Sequence, residues 1–316
     1  MKKVLLTGGT GYIGQYMAEG LKKDGFDVII TSRNHSEIVM GYHNRYMELL
    51  EPSSIRGICS GIDIVIHMAN MDERIIETHP RETFLANSFA TRELYCDAIA
   101  NGVSHFIYLS TFHVYGLNEG QIDETVETRP KSDYGLSHLF AEEYLKQLAV
   151  REKKCKVSIL RLTNGVGIPL HKVPKWYLVV NDFCRMAFYE QIITMKSNGL
   201  PLRDFVAIKD VVQAILLLAK KVEEQEEEYD IFNVSSQNTY SIRDVACMVR
   251  DIYEQRYDNR IIMKIPEVTE AERAAVKPLV VISGKLRSMG WNPKILIKDV
   301  IEDIFKGLEN GMYEGM

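Results

Sequence analysis

The stretch Thr7-Gly8-Gly9-Thr10-Gly11-Tyr12-Ile13-Gly14 follows directly after the apolar run Val4-Leu5-Leu6. An apolar run, closely spaced glycines and then an amphipathic segment are typical of a β-strand that turns sharply into a helix. The glycines allow a tight turn, let the backbone approach a pyrophosphate, and let the helix pack closely on the strand, while the N-terminus of the helix attracts phosphate charge. The stretch therefore predicts a dinucleotide site built from Gly8, Thr10, Gly11, Tyr12, Ile13 and Gly14.

Downstream of this turn, short β-branched runs alternate with longer amphipathic segments. We predict strands over 4–7, 28–31, 62–68, 106–110, 157–162, 231–234 and near 261–265. We predict helices over 13–23, 81–101, 134–153, 210–221, 241–253 and 297–308. This alternation indicates an α/β fold with a doubly wound parallel sheet that helices cover on both faces.

Composition narrows the class of protein. The 316 residues are 46% hydrophobic and 26% charged with a net charge of −5, so the chain can form a large core and lacks the basic surplus of a general nucleic-acid binder. The five cysteines are scattered without the spacing of a disulfide framework or a metal site, so we predict no metal. The apolar run after Lys3 is too short for a signal peptide or a membrane span. We therefore expect a cytoplasmic protein with neither nucleic acid nor membrane as a partner.

The end of the second predicted strand bears on the choice of dinucleotide. A carboxylate at this place would bind a free ribose 2′-hydroxyl. Here the chain has Ser32-Arg33, and an arginine offers a cation to a 2′-phosphate. We therefore expect Ser32 and Arg33 to favour NADP(H), with NAD(H) and a merely solvent-facing arginine as the alternatives.

The glycine spacing resembles that of the extended short-chain dehydrogenase/reductases, in particular the nucleotide-sugar branch of the NAD-dependent epimerase/dehydratase family. Further matching stretches, in family order, are Asp63-Ile64-Val65-Ile66-His67-Met68-Ala69, Asn87, Ser110-Thr111-Phe112-His113-Val114-Tyr115-Gly116, Tyr134-Gly135-Leu136-Ser137-His138, Arg161-Leu162-Thr163-Asn164, Leu202-Arg203-Asp204-Phe205-Val206, Lys285-Leu286 and Gly290-Trp291. The resemblance implies a Rossmann domain over 1–165, to which 204–235 returns, and a smaller α+β substrate domain over 166–203 and 236–316. It also implies that Met68 and Ala69 lie at the cofactor, and that helices 81–101 and 134–153 form a homodimer.

The resemblance assigns the chemistry to Tyr134 as general acid or base and to Thr111 as a hydrogen-bond partner of the same substrate oxygen. The family has a lysine four residues after the tyrosine, which lowers the pKa of the phenol and holds the nicotinamide ribose. This chain has His138 there. A histidine of ordinary pKa is charged only below about pH 7, so we expect a weaker, pH-dependent effect on Tyr134, with Tyr134 and His138 also contacting the cofactor. The alternative is a tolerated helix residue in a protein with impaired catalysis.

The substrate implied by the resemblance is a nucleoside-diphosphate sugar. Asn164 matches an asparagine that contacts the diphosphate, and Arg203 matches an arginine that reaches the nucleotide, while His113 is a further candidate for substrate contact. Phe112 and His113 stand where sugar dehydratases carry an acid pair, which disfavours dehydration. Arg33 favours reduction of a 4-keto sugar nucleotide over NAD-dependent 4-epimerisation, and a catalytically impaired, dinucleotide-binding regulatory protein is the third alternative.

Overall fold

The computed structural model describes residues 1–71, 73–76, 78–170 and 175–313. The strands in this part of the chain are β1 Lys3–Thr7, β2 Asp27–Ser32, β3 Ile38–Val39, β4 Tyr42–Tyr46, β5 Ile64–His67, β6 His105–Thr111, β7 Gly120–Ile122, β8 Lys156–Leu162, β9 Asn164–Val166, β10 Ile192–Thr194, β11 Leu202–Ala207, β12 Tyr229–Val234, β13 Thr239–Ser241, β14 Ile262–Lys264 and β15 Leu279–Val281.

The α-helices in the same residues are α1 Tyr12–Lys23, α2 Pro52–Ile55, α3 Pro80–Phe84, α4 Ala90–Ala100, α5 Asp133–Glu152, α6 Val179–Glu190, α7 Ile208–Lys220, α8 Ile242–Tyr257, α9 Glu270–Ala274, α10 Gly284–Ser288 and α11 Ile297–Glu309. Short 3₁₀ turns cover Glu73–Ile75, Phe112–Tyr115 and Val222–Glu224. Among the described helices, none is both long and apolar enough to cross a membrane.

The central sheet has eight strands in the order β12-β8-β6-β5-β1-β2-β4-β3. Every pair in it is parallel except β3 with β4 at the edge. The strands run outward in both directions from β1, which confirms the predicted doubly wound α/β fold. β3 and β4 were not predicted from the sequence. β3 has only two residues, and β4 is the polar run Tyr-His-Asn-Arg-Tyr, which lacks the apolar alternation of a buried strand.

Two apolar clusters cover the faces of this sheet. One joins the sheet to α1 and α7, and the other joins it to α4 and α5. A third cluster packs α6, α8 and α11 on one another. Leu286 and Trp291 belong to the first cluster, so the C-terminal part of the chain packs directly on the sheet. The proposed domain boundaries stay a prediction, and residues 171–174 and 314–316 of the predicted second domain lie outside the described residues.

The segment predicted as one helix over 81–101 is interrupted, so this prediction was wrong in detail. A π-helical turn over Leu85–Phe89 separates α3 from α4. The wider turn buries the polar side chains of Asn87 and Ser88, and each forms a hydrogen bond with another segment of the chain. Asn87 Oδ1 accepts from the amide of Met71 at 2.8 Å, and Ser88 Oγ donates to the carbonyl of Ser137 at 2.7 Å. The distortion therefore ties α3 and α4 to α5.

Candidate functional site

The predicted site residues gather at one edge of the sheet. Parallel strands end on the same side, so the glycine turn after β1, the segment after β5 and the end of β6 lie next to one another. Helix α5 begins beside the end of β6, where Ser132 Oγ accepts from the amide of Gly135 at 3.2 Å. This edge is the place where doubly wound sheets bind ligands.

The glycine turn brings backbone segments so close together that larger residues would not fit. Gly8 has φ +70°, and a Cβ there would lie 2.9 Å from the amide nitrogen of Ala69. A Cβ on Gly14 would lie 2.0 Å from the carbonyl oxygen of Gly8. Gly11 is the N-cap of α1, and no side chain of the described residues caps that helix, so its first N–H groups are open to an anion. These observations fit a dinucleotide phosphate held by backbone donors.

Tyr12 contributes to this turn differently from what the sequence suggested. Its hydroxyl is buried, donates to the carbonyl of Gly167 at 2.5 Å and accepts from the amide of Gly167 at 2.9 Å. Burial raises the pKa of Tyr12 to about 12, so the hydroxyl stays protonated. The side chain thus fastens the glycine turn to the segment after β9, and a contact of Tyr12 with the cofactor would have to come from its backbone N–H. Thr10 and Ile13 are half-buried in the same turn.

Arg33 lies at the end of β2 with its side chain 82% exposed, and its Nε is 3.9 Å from a carboxylate oxygen of Glu48. The guanidinium is therefore available to an anion at the surface. Ser32 is already engaged, because its hydroxyl donates to Asn44 Oδ1 at 2.8 Å and accepts from the amide of Asn34 at 3.1 Å. Arg33 is accordingly the stronger candidate of the two for a 2′-phosphate.

Met68 and Ala69 lie beside the glycine turn and are half-buried. Their amides donate to Thr7 Oγ1 at 3.1 and 3.2 Å, and Thr7 Oγ1 also lies 2.7 Å from Nδ1 of His67. The ring of His67 is buried, and burial lowers its pKa to about 3. These bonds fix the backbone after β5 against the glycine turn.

Tyr134 and His138 lie one turn apart on α5 and face the end of the sheet. Their ring centroids are 4.6 Å apart in an edge-to-face arrangement. His138 is buried, and its Nδ1 lies 2.7 Å from the hydroxyl of Tyr108 on β6. Its other ring nitrogen, Nε2, is buried without a hydrogen-bond partner among the described residues. His138 as a whole is 1% exposed, so little of the ring is accessible.

The expectation that His138 carries a charge below pH 7 is wrong. Burial lowers the pKa of His138 to about 3, and the nearby His113 acts in the same direction. The ring is therefore neutral over the pH range in which enzymes work. His138 does not supply the positive charge with which a lysine would lower the pKa of the Tyr134 phenol.

Thr111 and His113 connect Tyr134 to the neighbouring cavity. Thr111 ends β6, and its Oγ1 accepts from the amide of His113 at 3.2 Å. The His113 ring lies 5.8 Å from the Tyr134 ring, centroid to centroid. The structure therefore brings the predicted Thr111, His113, Tyr134 and His138 into one cluster.

A cavity of about 190 Å³ opens next to this cluster. Its walls include the three predicted substrate residues His113, Asn164 and Arg203. Asn164 Nδ2 donates to the carbonyl of Asp204 at 2.8 Å, which fixes its amide at the cavity wall. Lys131 and Asp204 also line the cavity, so two cations and one carboxyl group border it. The two cations and the fixed amide of Asn164 are groups that can bind a phosphate.

Two parts of the site were not predicted from the sequence. Asp204 lines the cavity, and its carboxylate accepts from Thr163 Oγ1 at 2.7 Å and from the amide of Ser236 at 2.9 Å. Burial raises the pKa of Asp204, whereas these hydrogen bonds act in the opposite direction. Its place directly after Arg203 was a signal that the sequence offered.

The second part is a buried pair of charged residues behind α5. Glu142 and Arg161 are 0% and 3% exposed and form a two-pronged ion pair, with Arg161 Nη2 2.6 Å from Glu142 Oε2. Ser110 Oγ also donates to Glu142 Oε1 at 2.6 Å. The pair joins α5 to β6 and β8. Glu142 follows Tyr134 and His138 at positions i+8 and i+4, a helical spacing that places all three on one face.

Comparison with known proteins identifies the fold and the family of the chain. The family model described as "NAD dependent epimerase/dehydratase family" matches residues 4–235. A dTDP-D-glucose 4,6-dehydratase of Mus musculus is 28% identical over 342 residues, covering 98% of this chain and 90% of the mouse protein. A UDP-glucose 4-epimerase of Streptomyces lividans is 24% identical over 325 residues, covering 96% of this chain and 95% of the relative.

A solved structure, MoeE5 in complex with UDP-glucuronic acid and NAD, superimposes with a TM-score of 0.80 at 20% identity. The match covers 98% of this chain and 99% of MoeE5. At this level of identity the likeness establishes the fold.

Proposed function

Because the chain belongs to the NAD-dependent epimerase/dehydratase family, we propose that it is a nicotinamide-dependent oxidoreductase acting on the sugar of a nucleoside-diphosphate sugar. The observation that carries the proposal is the cavity lined by His113, Asn164 and Arg203, which opens beside Tyr134. A diphosphate in this cavity would meet fixed amide and guanidinium donors, and the attached sugar would extend toward Tyr134. The mouse and Streptomyces relatives carry names of enzymes that act on nucleotide sugars.

Each residue of the cluster has a distinct task in this proposal. When bound, a nicotinamide cofactor would supply or take up the hydride. Tyr134 exchanges the proton of the same substrate oxygen as general acid or base. Thr111 donates a hydrogen bond to that oxygen, and the glycine turn after β1 holds the cofactor phosphates through backbone N–H groups.

We propose NADP(H) as the preferred cofactor, with NAD(H) as the alternative. The exposed guanidinium of Arg33 supports this preference, because a charge-assisted hydrogen bond to a 2′-phosphate is worth roughly 1.5–3 kcal/mol. Glu48 lies 3.9 Å from Arg33 Nε, and a bound 2′-phosphate would compete with it for the guanidinium.

The reaction we propose is reduction of a 4-keto sugar nucleotide. Phe112 and His113 follow Thr111 at the cavity and provide no carboxyl acid to assist removal of water, which argues against dehydration. The second candidate is 4-epimerisation of a nucleotide sugar, which the Streptomyces relative favours. The two reactions differ in outcome, since a reductase consumes the reduced cofactor and an epimerase leaves it unchanged.

A panel of UDP, dTDP, CDP and GDP sugars and their 4-keto forms tests the proposal. We expect stoichiometric loss of NADPH absorbance with one 4-keto sugar nucleotide. Product formation without net change of cofactor would establish the epimerase instead. Turnover of a carbonyl compound without a nucleotide, and none with the panel, would refute the nucleotide-sugar assignment.

The nucleotide part of the substrate is tested separately with Arg203→Ala. We expect weaker binding of nucleoside diphosphates by about tenfold or more, with the affinity for NADPH unchanged, because Arg203 lines the cavity on the substrate side. Arg250→Ala is a matched control, since Arg250 pairs with Asp251 on α8. Calorimetry on both variants measures the affinities, and equal loss for both ligands would contradict the placement of Arg203.

We also propose that the protein is a homodimer through α3, the π-helical turn, α4 and α5. Four large apolar side chains on these elements, Leu85, Phe89, Leu136 and Phe140, are 39%, 39%, 41% and 42% exposed. Phe140 contacts Phe84 with ring centroids 5.1 Å apart, which joins the two helical segments into one apolar surface. A second copy of the chain would cover this surface.

A further inference from the structure

The segment that carries Arg33 is shaped by its own polar side chains. Ser32 Oγ accepts from the amide of Asn34 at 3.1 Å, and Asn34 Oδ1 accepts from the amide of Ser36 at 2.9 Å. Serine and asparagine form such bonds to the backbone two residues further along the chain, and these bonds turn the chain locally. Residues 32–36 therefore leave β2 as a compact turn, the 32–36 turn, with Arg33 inside it.

Asn44 on β4 binds the 32–36 turn from the neighbouring strand. Its Oδ1 accepts from Ser32 Oγ at 2.8 Å, and its Nδ2 donates to the carbonyls of Asn34 at 2.8 Å and Ser36 at 2.9 Å. The backbone amide of Asn44 also donates to the carbonyl of Glu37 at 2.8 Å. A primary amide has two N–H donors and one acceptor oxygen, so all polar groups of this side chain are engaged with one segment.

Tyr46 provides a second contact between β4 and the 32–36 turn. The rings of His35 and Tyr46 stack with centroids 4.0 Å apart and an angle of 16° between their planes. Arg33 lies between two residues that Asn44 binds, and its own side chain is 82% exposed. β4 thus fixes the chain on both sides of Arg33 and leaves the guanidinium exposed.

The nearest carboxylate makes the position of Arg33 matter. Glu48 lies 3.9 Å from Arg33 Nε, which is too long for a hydrogen bond, so the guanidinium donors are not committed to Glu48. A more mobile turn would let Arg33 close onto Glu48, and the carboxylate would then compete with a phosphate for the same donors.

We propose that Asn44 is a positioning residue for the choice of cofactor, because it holds the 32–36 turn in the shape that presents Arg33 to the 2′-phosphate of NADP(H). The inference rests on the proposed preference for NADP(H) and adds a residue of β4, a strand that was not predicted from the sequence. A guanidinium on a fixed backbone loses less conformational freedom on binding a phosphate than one on a mobile segment. NADH lacks the 2′-phosphate and gains nothing from this arrangement.

The first test compares the affinities for NADPH and NADH by fluorescence titration. Asn44→Leu keeps the approximate size of the side chain and removes its three hydrogen bonds. We expect NADPH to bind about threefold to tenfold more weakly, and NADH to bind within about twofold of the unmodified protein. Asn101→Leu is the matched control and should change neither affinity, because Asn101 is also half-buried and its Nδ2 donates to the carbonyl of Asp97 at 2.8 Å, at the end of α4.

The second test asks whether Asn44 acts through Arg33. In the Arg33→Ala background, Asn44→Leu should change the NADPH affinity by less than about twofold, since the group that the turn presents is gone. Asn44→Ser is the second variant, in case the leucine prevents folding. A serine hydroxyl has one donor and cannot bind the carbonyls of both Asn34 and Ser36, so the same pattern of affinities is expected. Unchanged NADH binding shows that each variant is folded.

Equal losses for the two cofactors would refute the positioning role of Asn44 and leave the preference for NADP(H) in place. An unchanged NADPH affinity in both Asn44 variants, or the same loss with and without Arg33, would refute it equally. An Arg33→Ala variant that binds NADPH as the unmodified protein does would instead refute the preference for NADP(H), and the role of Asn44 with it. These measurements use no sugar nucleotide, so failure of the proposed reaction is a separate outcome.

Discussion

His138→Lys should shift the pH dependence of catalysis, because it replaces a neutral ring beside Tyr134 with a cation. The unmodified side chain is uncharged, since burial lowers its pKa to about 3. A positive charge favours the phenolate form of Tyr134 and therefore lowers the pKa of the phenol. The substitution restores the residue that the family has at this position.

The size of the shift follows from the separation of the two side chains. Taking the 4.6 Å between the ring centroids as the distance and an effective dielectric constant of about 20, the interaction of two unit charges is roughly 3–4 kcal/mol, or between about 2 and 3 pK units. The position is buried, which lowers the pKa of the introduced lysine and reduces the gain. We therefore expect the pKa of Tyr134 to fall by about 1–2 units.

Steady-state rates between pH 5.5 and 10 measure this shift in both directions of the reaction. Oxidation of an alcohol needs the phenolate, so its rate rises with pH through the pKa of Tyr134, and His138→Lys should move that rise to lower pH. Reduction needs the phenol, so its rate falls through the same pKa, and the fall should also move to lower pH. His138→Gln is the neutral control and should leave both profiles in place.

Two results would refute this reasoning. If His138→Gln moves the profiles to higher pH by about as much as His138→Lys moves them to lower pH, the histidine of the unmodified protein is a cation. If His138→Lys moves neither profile, Tyr134 is not the group whose ionisation limits the rate. An unmodified protein without turnover that His138→Lys activates would instead establish the third alternative, a binding protein descended from an enzyme.

Three further predictions concern Tyr134, Arg33 and the apolar surface. Tyr134→Phe should lower turnover by on the order of a hundredfold or more and leave the NADPH affinity unchanged, because it removes the proton donor. Steady-state kinetics measures the turnover and fluorescence titration the affinity. Intact turnover would contradict the mechanism. Arg33→Ala should weaken NADPH binding by on the order of tenfold to a hundredfold and leave NADH binding within about twofold; equal effects on both cofactors would remove the assignment. Leu136→Glu should dissociate the proposed homodimer, because it would bury an unpaired carboxylate in the apolar surface. Val150→Glu, at a 52% exposed position of the same helix, should leave the dimer intact. Sedimentation velocity measures the oligomeric state of both variants, and a monomeric unmodified protein would contradict the proposed dimer.

The sequence predicted the central sheet well because its strands are buried on both faces. Continuous apolar runs such as those of β1 and β5 have few alternative structures, and the glycine turn fixes where the first strand ends. The polar strand β4 was missed because its hydrogen bonds to β2, rather than its composition, make it a strand. The π-helical turn was missed because the hydrogen bonds of Asn87 and Ser88 reach Met71 and Ser137, which are distant in the sequence.

The candidate site was predictable where residues follow a motif, and not where they act through a contact between distant residues. His113, Asn164 and Arg203 were identified from their places in family motifs, and the structure places them around one cavity. The charge of His138 could not be read from the sequence. The ordinary pKa of a histidine suggested a cation at mildly acidic pH. Burial of the side chain keeps the ring neutral, and the sequence alone does not show that burial.

The pairing of His138 with Tyr108 changes how the replacement of the lysine is interpreted. A lysine serves two purposes at this position, because it donates hydrogen bonds and carries a charge. The His138 ring is buried, uncharged and bonded through Nδ1 to the hydroxyl of Tyr108, so it supplies no charge to Tyr134. If Tyr134 is the general acid or base, another group must favour its phenolate form. His138→Lys adds a charge at this position and His138→Gln does not, so the difference between the pH profiles of the two variants measures what the missing charge is worth to catalysis.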